Sequence, residues 1–516
     1  MNRSVAGHPI LVSATTDLPA PLTFRGPAEA SVPPVPGVPE VHHTDVAPQH
    51  VLEIERYDTA DLRLAAAGVT LAVLRDDSPS RWELHTPGER EPLRLPIDAK
   101  APVGARLPLP AEIDELVRGV ARGRNIRPVG RVRTRRTEHR LLDASGTRRA
   151  TVVHDHVSLS TIGRSTDVEA WTEVTIDAPD PLRGTLADRA AEAGLRPAAP
   201  CGAAELSRRL RPVRREASRP SEKKAGGALV AYLAAQNDRI AAEDLRARRG
   251  EHDSVHQLRV AARRMRSALQ GYRKLLDRER TDPIVDGLRQ LGRDLAPARD
   301  AEVQRERVLE GLAGLPDDLR LGGAAVVANR YFGRIESEGA AAALATLDSP
   351  AYEQLREQLD QLIADPPLRK RAKKSATKEL PRHVAKQERR FAARVEHALD
   401  PELPDEQHDT ALHAARKAGK RLRYVTEVAR TSVGKPAKRH AKAVKGIQKA
   451  LGDHQDTVVA RGTLRSLGAL AHLEGENGFA FGVLHGHDAA RAAAVEARLP
   501  ALWKAASKKK LRRWLQ

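Results

Sequence analysis

Two patterns of hydrophobic and polar residues divide the chain. Between about residues 51 and 180, short apolar segments alternate with glycine, proline and aspartate, which is typical of strands in an antiparallel sheet or barrel. Seven segments have this form: VLEIERYDT, GVTLAVLRDD, SRWELHTPG, EPLRLPID, VGRVRTRRTEHRLLD, RATVVHDHVSLS and AWTEVTIDAP. AEIDELVRGVARGR, LADRAAEAG and ELSRRLRP show helical periodicity, so the pattern predicts an α+β region. The proline-rich residues 1–50 are expected to have little regular structure.

The second pattern is helical and begins after the basic segment RRLRPVRREASRPSEKK at residues 208–224. Helices are predicted at residues 224–249, 252–278, 283–295, 300–313, 318–345, 350–364, 376–399, 406–431, 436–451, 456–468 and 478–498. Prolines and glycines, including Pro283 and Gly452, mark the expected helix ends. Such lengths with short connections favour antiparallel bundles.

An internal repeat organises this helical region. HQLRVAARRMR at residues 256–266 recurs as HAARKAGKRLR at residues 413–423. In both copies, basic residues follow the histidine after three, seven, eight and ten positions. The repeat extends to LAPARDAEV and LGDHQDTVV, whose aspartates lie 44 residues after His256 and 43 after His413. A duplicated multi-helix unit is expected, with its two basic helices about a pseudo-two-fold axis.

On a helix, each copy separates its charges from its apolar side chains. The first stripe comprises His256, Arg259, Arg263 and Arg266, and the second stripe comprises His413, Arg416, Lys420 and Arg423. The opposite faces are apolar and comprise Leu258, Ala261, Met265, Leu269 and Tyr272 in the first copy and Leu412, Ala415, Leu422, Val425 and Ala429 in the second. Each helix is therefore predicted to pack by one side and to collect anions with the other.

The excess positive charge lies in the helical region. The net charge is +19, but residues 1–220 hold 31 lysines and arginines against 29 acidic residues, and the remainder holds 56 against 39. From Arg416 to Lys449 there are 12 cations against Glu427 alone. This imbalance indicates a polyanionic partner. An aromatic content of 3% argues against single-stranded nucleic acid, whose binders stack bases on aromatic rings.

Other features narrow the protein class. Cys201 is the single cysteine, which excludes an internal disulfide framework. The sequence contains no secretory apolar segment and no run of 18 apolar residues, so we expect a soluble cytoplasmic protein without membrane contact.

The N-terminal region resembles the CYTH family in the segment YDTADLRLAAAGVTL, a following tryptophan strand, VGRVRTRRT and a WTEV strand. The resemblance implies a β-barrel tunnel that hydrolyses or cyclises triphosphates. In that family an opening Glu-x-Glu-x-Lys strand holds a divalent metal and meets phosphate. The expected fold is therefore an α+β antiparallel β-barrel of the triphosphate-tunnel kind.

The motif for metal binding is absent from this N-terminal sequence. Glu53 and Glu55 are followed by Tyr57 where lysine is needed, and residues 10–19 contain neither glutamate nor lysine. Thr175 stands where a second glutamate is expected after Glu173. Paired carboxylates are required to hold the metal. The region is therefore interpreted as a degenerate CYTH-like scaffold with no catalytic and no metal-binding residues, and enzymatic activity is left open but disfavoured.

The helical region resembles the CHAD family in VHQLRVAARRMRSAL with RDAEV, and in LHAARKAGKRLRYV with LGDHQD. The resemblance implies two pseudo-symmetric four-helix bundles and binding of inorganic polyphosphate without a cofactor. The ligand surface implied by the resemblance and by the charge pattern comprises His256, Arg259, Arg263, Arg264, Arg266, His413, Arg416, Lys417, Lys420, Arg421, Arg423, Lys438, Lys442 and Lys445. The expected domains are residues 1–205 and 223–514, with a linker at 206–222 and helical halves at 223–365 and 371–514.

The sequence is compatible with three functions. The first is non-enzymatic polyphosphate binding, with recruitment to polyphosphate granules. The second is a metal-dependent triphosphatase whose substrate is delivered by the helical domain, and the third is nucleic-acid binding. Asp300 and Asp456 are interpreted as helix N-caps or arginine partners, and the two histidines as neutral groups that pack or cap beside the arginines.

Overall fold

A computed structural model describes residues 20–30, 38, 40–97, 107–162, 166–210 and 220–516. The chain divides into two compact units. The sheet unit comprises Met1–Asp114 and Gly123–Val213, and the helical unit comprises Glu115–Arg122 and Arg214–Gln516. The segment from Ile10 to Pro19, where the sequence lacks the CYTH opening motif, lies outside the described residues.

Among its described residues, the sheet unit contains one antiparallel sheet of ten strands. The strands are β1 (Leu22–Pro27), β2 (His43–Val46), β3 (His50–Asp58), β4 (Thr70–Arg75), β5 (Arg81–His85), β6 (Leu93–Pro96), β7 (Arg127–Leu142), β8 (Arg148–Ile162), β9 (Thr166–Asp177) and β10 (Arg196–Pro197). The helices of this part of the chain are α1 (Arg63–Ala66), α2 (Ala111–Ala121), α3 (Leu182–Glu192) and α4 (Gly202–Arg209), of which α2 passes from the sheet unit into the helical unit at Glu115. The seven predicted strands correspond to β3 through β9, and the three predicted helices correspond to α2, α3 and α4.

Two strands lie in the region that was expected to be irregular. β1 pairs with β9, with Phe24 opposite Val174, and both side chains are buried in a cluster beneath α3. β2 pairs with the far end of β7. Pairing with a long neighbouring strand therefore imposes strand structure on segments whose own sequence pattern is weak.

The expected closed barrel is wrong. The strand order is β10-β1-β9-β8-β7-β3-β4-β5-β6, and within the described residues the two end strands do not pair. β10 has only two residues, and the second is Pro197, which has no amide hydrogen to donate. β6 has four residues and ends at Pro96. Short strands that end in proline cannot supply the ladder that would close the sheet.

The helical unit confirms the all-helical prediction. Its helices are α5 (Ala225–Arg248), α6 (Ser254–Gly271), α7 (Arg278–Asp294), α8 (Ala296–Ala313), α9 (Ala324–Leu347), α10 (Pro350–Ala364), α11 (Ala376–Ala398), α12 (Asp405–Val433), α13 (Lys435–Leu473), α14 (Phe479–Ala506) and α15 (Lys509–Arg512). Three short 3-10 turns occur at Asp317–Leu319, Lys370–Lys373 and Arg513–Leu515.

The predicted interruption at Gly452 is wrong, because α13 runs through it as one helix of 39 residues. A helical glycine costs only about 1 kcal/mol, which packing offsets. In the first copy, by contrast, α7 ends and α8 begins around Leu295, just before Pro297. Proline lacks the amide hydrogen and clashes with the preceding turn, so this copy is broken where the second is continuous.

The helical core joins the two halves of the repeat. One buried cluster includes Leu258 and Met265 from α6 together with Leu422 and Val425 from α12. A second cluster includes Phe332 from α9 and Phe481 from α14. Because each cluster draws on both halves, the halves stabilise one another.

Candidate anion-binding surface

Helices α6 and α12, which carry the two copies of the repeat, pack directly against each other. The Tyr272 hydroxyl at the end of α6 donates to the Val425 carbonyl oxygen on α12 over 2.7 Å. A Cβ added at Gly271 would lie 2.3 Å from the Val425 side chain, so glycine is required for this close approach. The predicted apolar faces of both helices are buried throughout.

The aspartates of the repeat are arginine partners in both copies. The Arg259 guanidinium lies 3.2 Å from Asp300, and that of Arg416 lies 3.6 Å from Asp456. The arginine-partner interpretation is confirmed. The N-cap interpretation is wrong, because Asp300 lies inside α8 and Asp456 inside α13. The two copies thus fix their first arginine in the same way.

The two stripes meet at Lys420. On the first stripe, Arg263 Nε donates to the Tyr424 hydroxyl of α12 over 3.3 Å, which brings the stripes side by side. Burial, followed by the positive charges of Arg416 and Arg263, lowers the pKa of Lys420 to about 7. Burial and neighbouring cations both disfavour the charged form of a lysine, and the nearby carboxylates do not offset them here.

Glu427 holds two of the predicted arginines. Its carboxylate lies 3.4 Å from Arg264 and 3.4 Å from Arg423, and it accepts a hydrogen bond of 2.9 Å from the Tyr232 hydroxyl. The Arg423 guanidinium also lies over the Tyr424 ring, 4.9 Å from its centre. These contacts orient both guanidinium groups, although the one carboxylate leaves the pair with net positive charge.

Both repeat histidines are half-buried beside the cations. His413 Nδ1 donates to the Gln455 side-chain oxygen, and burial lowers the pKa of this imidazole. The ring is therefore neutral at pH 7 before any anion is present, as the sequence indicated. His256 occupies the equivalent position of the repeat on α6.

The remaining predicted cations are exposed. Lys417 and Arg421 lie on α12, whereas Lys438, Lys442 and Lys445 form a separate row on α13. Within the described residues, these five side chains form no ion pair with a carboxylate. Their charges are therefore available to solvent and to a ligand.

Gly419 permits close packing of α12 against its neighbours. A Cβ at this position would lie 3.0 Å from the Phe391 ring and 3.1 Å from Gln448. The glycine therefore lets α12 approach α11 and α13, and the helix continues through it from Asp405 to Val433.

A basic pocket of about 630 Å³ was not predicted from the sequence. It lies at the end of α6, between α7, α11 and α12. Its charged lining comprises Arg273, Lys274, Arg278, Asp282, Asp286, Arg289, Arg369, Lys386, Arg390 and Arg421. Mutual repulsion is evident there, since Arg390, followed by burial and Lys274, lowers the pKa of Lys386.

Arg266 connects the first stripe to the basic pocket. Burial lowers its pKa, and the next largest causes are the charges of Arg289, Arg263 and Arg421. Within the described residues, no carboxylate lies within ion-pair distance of Arg266. Arg266 therefore lies close to cations of both the first stripe and the basic pocket.

A sequence signal for the pocket existed outside the repeat. Residues 369–394 contain 11 lysines and arginines against two glutamates. This segment includes Lys386 and Arg390 but does not contain the histidine and arginine motif of the repeat. Periodicity alone could not show that it folds against the end of α6.

In the sheet unit, the carboxylates of the incomplete CYTH motif are already paired. Glu53 lies 3.1 Å from Arg75, and Glu55 lies 2.7 Å from Arg131. Both glutamates are buried, and the Tyr57 hydroxyl donates to Glu55 over 3.1 Å. Arginines therefore occupy the positions from which a metal would neutralise these groups.

Glu173 lies on the opposite face of the sheet from Glu53 and Glu55. Strand pairing places Glu53 opposite Arg133, whereas Glu173 is opposite Asp155, which is opposite Arg136. Arg133 and Arg136 are three residues apart on β7, so they project to opposite faces. Glu173 and Glu53 consequently do not converge on one point.

We expect the full chain to release no phosphate from ATP or tripolyphosphate in the presence of magnesium or manganese. The physical reason is that, among the described residues of the sheet unit, the carboxylates of the incomplete motif are paired with arginines and do not converge with Glu173. A colorimetric phosphate assay with a chelator-treated control checks this expectation. Metal-dependent release above the chelated control would show that the sheet unit assembles a catalytic centre.

Comparisons with known proteins agree with this architecture. Residues 231–465 match the CHAD domain family, which confirms the resemblance carried by the two repeats. The antiparallel sheet is consistent with the CYTH resemblance of the N-terminal region. Within the described part of the chain, no helix combines the length and apolar character that crossing a membrane requires.

Relatives cover most of the chain. Two uncharacterized proteins from two strains of Mycobacterium tuberculosis are each 29% identical over 482 residues, which is 89% of this chain and 90% of each relative. PptA from Streptomyces chartreusis is 20% identical with a TM-score of 0.44, over 55% of this chain and 99% of that one. The CHAD domain from the plant Ricinus communis is 25% identical with a TM-score of 0.43, over 55% and 92%.

Proposed function

We propose that the helical unit, whose residues 231–465 match the CHAD domain, binds inorganic polyphosphate without enzymatic turnover. The observation that carries the proposal is the convergence of both stripes on Lys420, whose pKa falls to about 7 through burial and through Arg416 and Arg263. Such a concentration of positive charge is relieved by an anion. The proposed contacts are His256, Arg259, Arg263, Arg264, Arg266, His413, Arg416, Lys417, Lys420, Arg421, Arg423, Lys438, Lys442 and Lys445.

Inorganic polyphosphate suits this surface chemically. Guanidinium groups bind two phosphate oxygens at once, and lysine supplies charge without a fixed orientation. A ligand that is linear, flexible and uniformly charged can bind along the stripes without sequence-specific contacts. The basic pocket would receive the chain beyond Arg266.

We propose the following domain boundaries for the chain. Residues 1–205 form a degenerate CYTH-like domain, residues 206–222 a linker, and residues 223–514 the polyphosphate-binding domain. Its halves, 223–365 and 371–514, form two four-helix bundles related by a pseudo-two-fold axis. The same function implies recruitment to polyphosphate granules in the cytoplasm, with no cofactor.

We expect polyphosphate binding to be coupled to proton uptake by Lys420. In the free protein the ammonium loses its proton near pH 7, and a bound phosphate raises the pKa because it favours the charged form. The contribution of Lys420 to affinity is therefore constant below about pH 7 and decreases as the pH rises above it, by at most about tenfold per pH unit for the one proton taken up.

Titration calorimetry of the full chain with long-chain polyphosphate tests this coupling and the binding itself. Buffers of different ionisation enthalpy report the number of protons taken up. Lys420→Arg is the matched control, because arginine stays charged and should retain binding while losing the pH dependence. No binding by the wild-type chain would refute the proposed function, and equal pH dependence in both proteins would refute the role of Lys420.

A further inference from the structure

A cluster of potential metal ligands lies where α12, α13 and α14 meet, outside the proposed polyphosphate surface. His454 Nε2 lies 2.7 Å from Glu496 Oε1 and 3.5 Å from Asp409 Oδ1. His454 is only 2% exposed. One donor atom from each of the three residues lies within 4.8 Å of the other two, and no other such group occurs among the described residues.

The repeat does not require this cluster. Asp409 precedes the repeat histidine by four residues, and His454 precedes the repeat aspartate by two. The corresponding positions of the first copy are His252 and Ala298. The first copy lacks these side chains, so the cluster belongs to the second copy alone.

The net negative charge of the cluster also favours a bound cation. With a neutral imidazole, two carboxylates face one another, and Arg461 reaches Asp409 only at 4.0 Å. His408 Nδ1 lies 3.8 Å from the second oxygen of Glu496 and is a further nitrogen donor at the rim.

We infer that Asp409, His454 and Glu496 bind a divalent transition metal, with zinc as the ion that best fits. One nitrogen and two carboxylate oxygens suit zinc better than magnesium or calcium, which prefer oxygen alone. Bond lengths of 2.0–2.2 Å place tetrahedral ligands about 3.4 Å apart. The separation of 3.5 Å between His454 and Asp409 already fits, whereas Glu496 must move back by about 0.7 Å from its hydrogen bond.

Metal binding changes the protonation of His454. Nε2 must present its lone pair, so the proton that it shares with Glu496 moves to Nδ1 or is released to solvent. The three protein ligands leave a fourth position for water or His408. Occupancy would tie the first turns of α12 to α13 and α14, next to Gln455, the partner of His413.

The test is titration of the untagged full chain, stripped with chelator, with zinc chloride in a calorimeter. Cobalt chloride serves as a second probe because its absorption reports tetrahedral coordination. We expect one zinc per chain and a higher melting temperature with zinc present. His454→Ala, Asp409→Asn and Glu496→Gln should each weaken binding at least about tenfold.

His472→Ala is the matched control, since His472 is exposed on the same helix as His454 but lies outside the cluster. Its zinc affinity should be unchanged. Glu496→Gln conserves shape and remains decisive if His454→Ala fails to fold, which circular dichroism will show. No stoichiometric zinc binding by the wild-type chain, or undiminished binding by folded Glu496→Gln, would overturn the proposed site.

Discussion

Reversing the charges of Arg263 and Lys420 together is expected to abolish binding of long-chain polyphosphate. These residues stand where the two stripes meet, and Arg263 also donates to Tyr424. Each lost charge-assisted contact with phosphate removes about 1.5–3 kcal/mol, so two contacts remove about 3–6 kcal/mol. That energy corresponds to a loss of roughly 10²–10⁴-fold in affinity, before added repulsion is counted.

Fluorescence anisotropy with labelled polyphosphate measures this loss in Arg263→Glu, Lys420→Glu. The control variant, Arg491→Glu with Arg498→Glu, changes the net charge equally at two exposed positions of α14. It should bind almost as tightly as the wild-type chain at moderate salt. Circular dichroism should be unchanged in both, since the buried face of α12 is not altered. Equal losses in the two variants would mean that binding depends only on net charge.

Affinity is expected to rise steeply with polyphosphate chain length and then to level off. Each stripe is about 15 Å long at 1.5 Å per residue, and the stripes continue through Arg266 into the basic pocket. Once one phosphate is bound, each further unit reaches another cation intramolecularly and avoids the cost of a new association. Pyrophosphate and ATP should therefore bind orders of magnitude more weakly than long chains.

Competition with polyphosphates of defined length measures this dependence. Reversal of Lys386 and Arg390 in the basic pocket should shorten the length at which affinity levels off, while short chains keep their affinity for the stripes. Affinity independent of length in the wild-type chain would show that the cations act as separate sites. The continuous surface would then be wrong.

The sequence identified the stripes because their geometry is local. The spacing from His256 to Arg266 places cations on one side of α6 and leaves Leu258 and Met265 on the other, whatever the helix packs against. Duplication then supplied the second stripe. The pairing of Arg259 with Asp300 was also accessible, because the same spacing occurs in both copies.

Features that depend on distant residues were not accessible in this way. The basic pocket combines Arg273 with Lys386 and Arg390, more than 100 residues later. A glycine often marks the end of a helix, but tertiary packing lets α13 continue through Gly452. Closure of the sheet likewise depended on how the short strands β6 and β10 meet, which their apolar patterns do not specify.

The most direct test is competition between long-chain polyphosphate and duplex DNA for the full chain, at equal phosphate concentration and fixed salt. Duplex DNA is stiff over about 50 nm, so its phosphates cannot rearrange to match the cations of the stripes and the pocket. Flexible polyphosphate can. The expected result is that polyphosphate displaces labelled DNA and that DNA does not displace labelled polyphosphate. Equal displacement in both directions would contradict polyphosphate selectivity and make nucleic-acid binding the leading function.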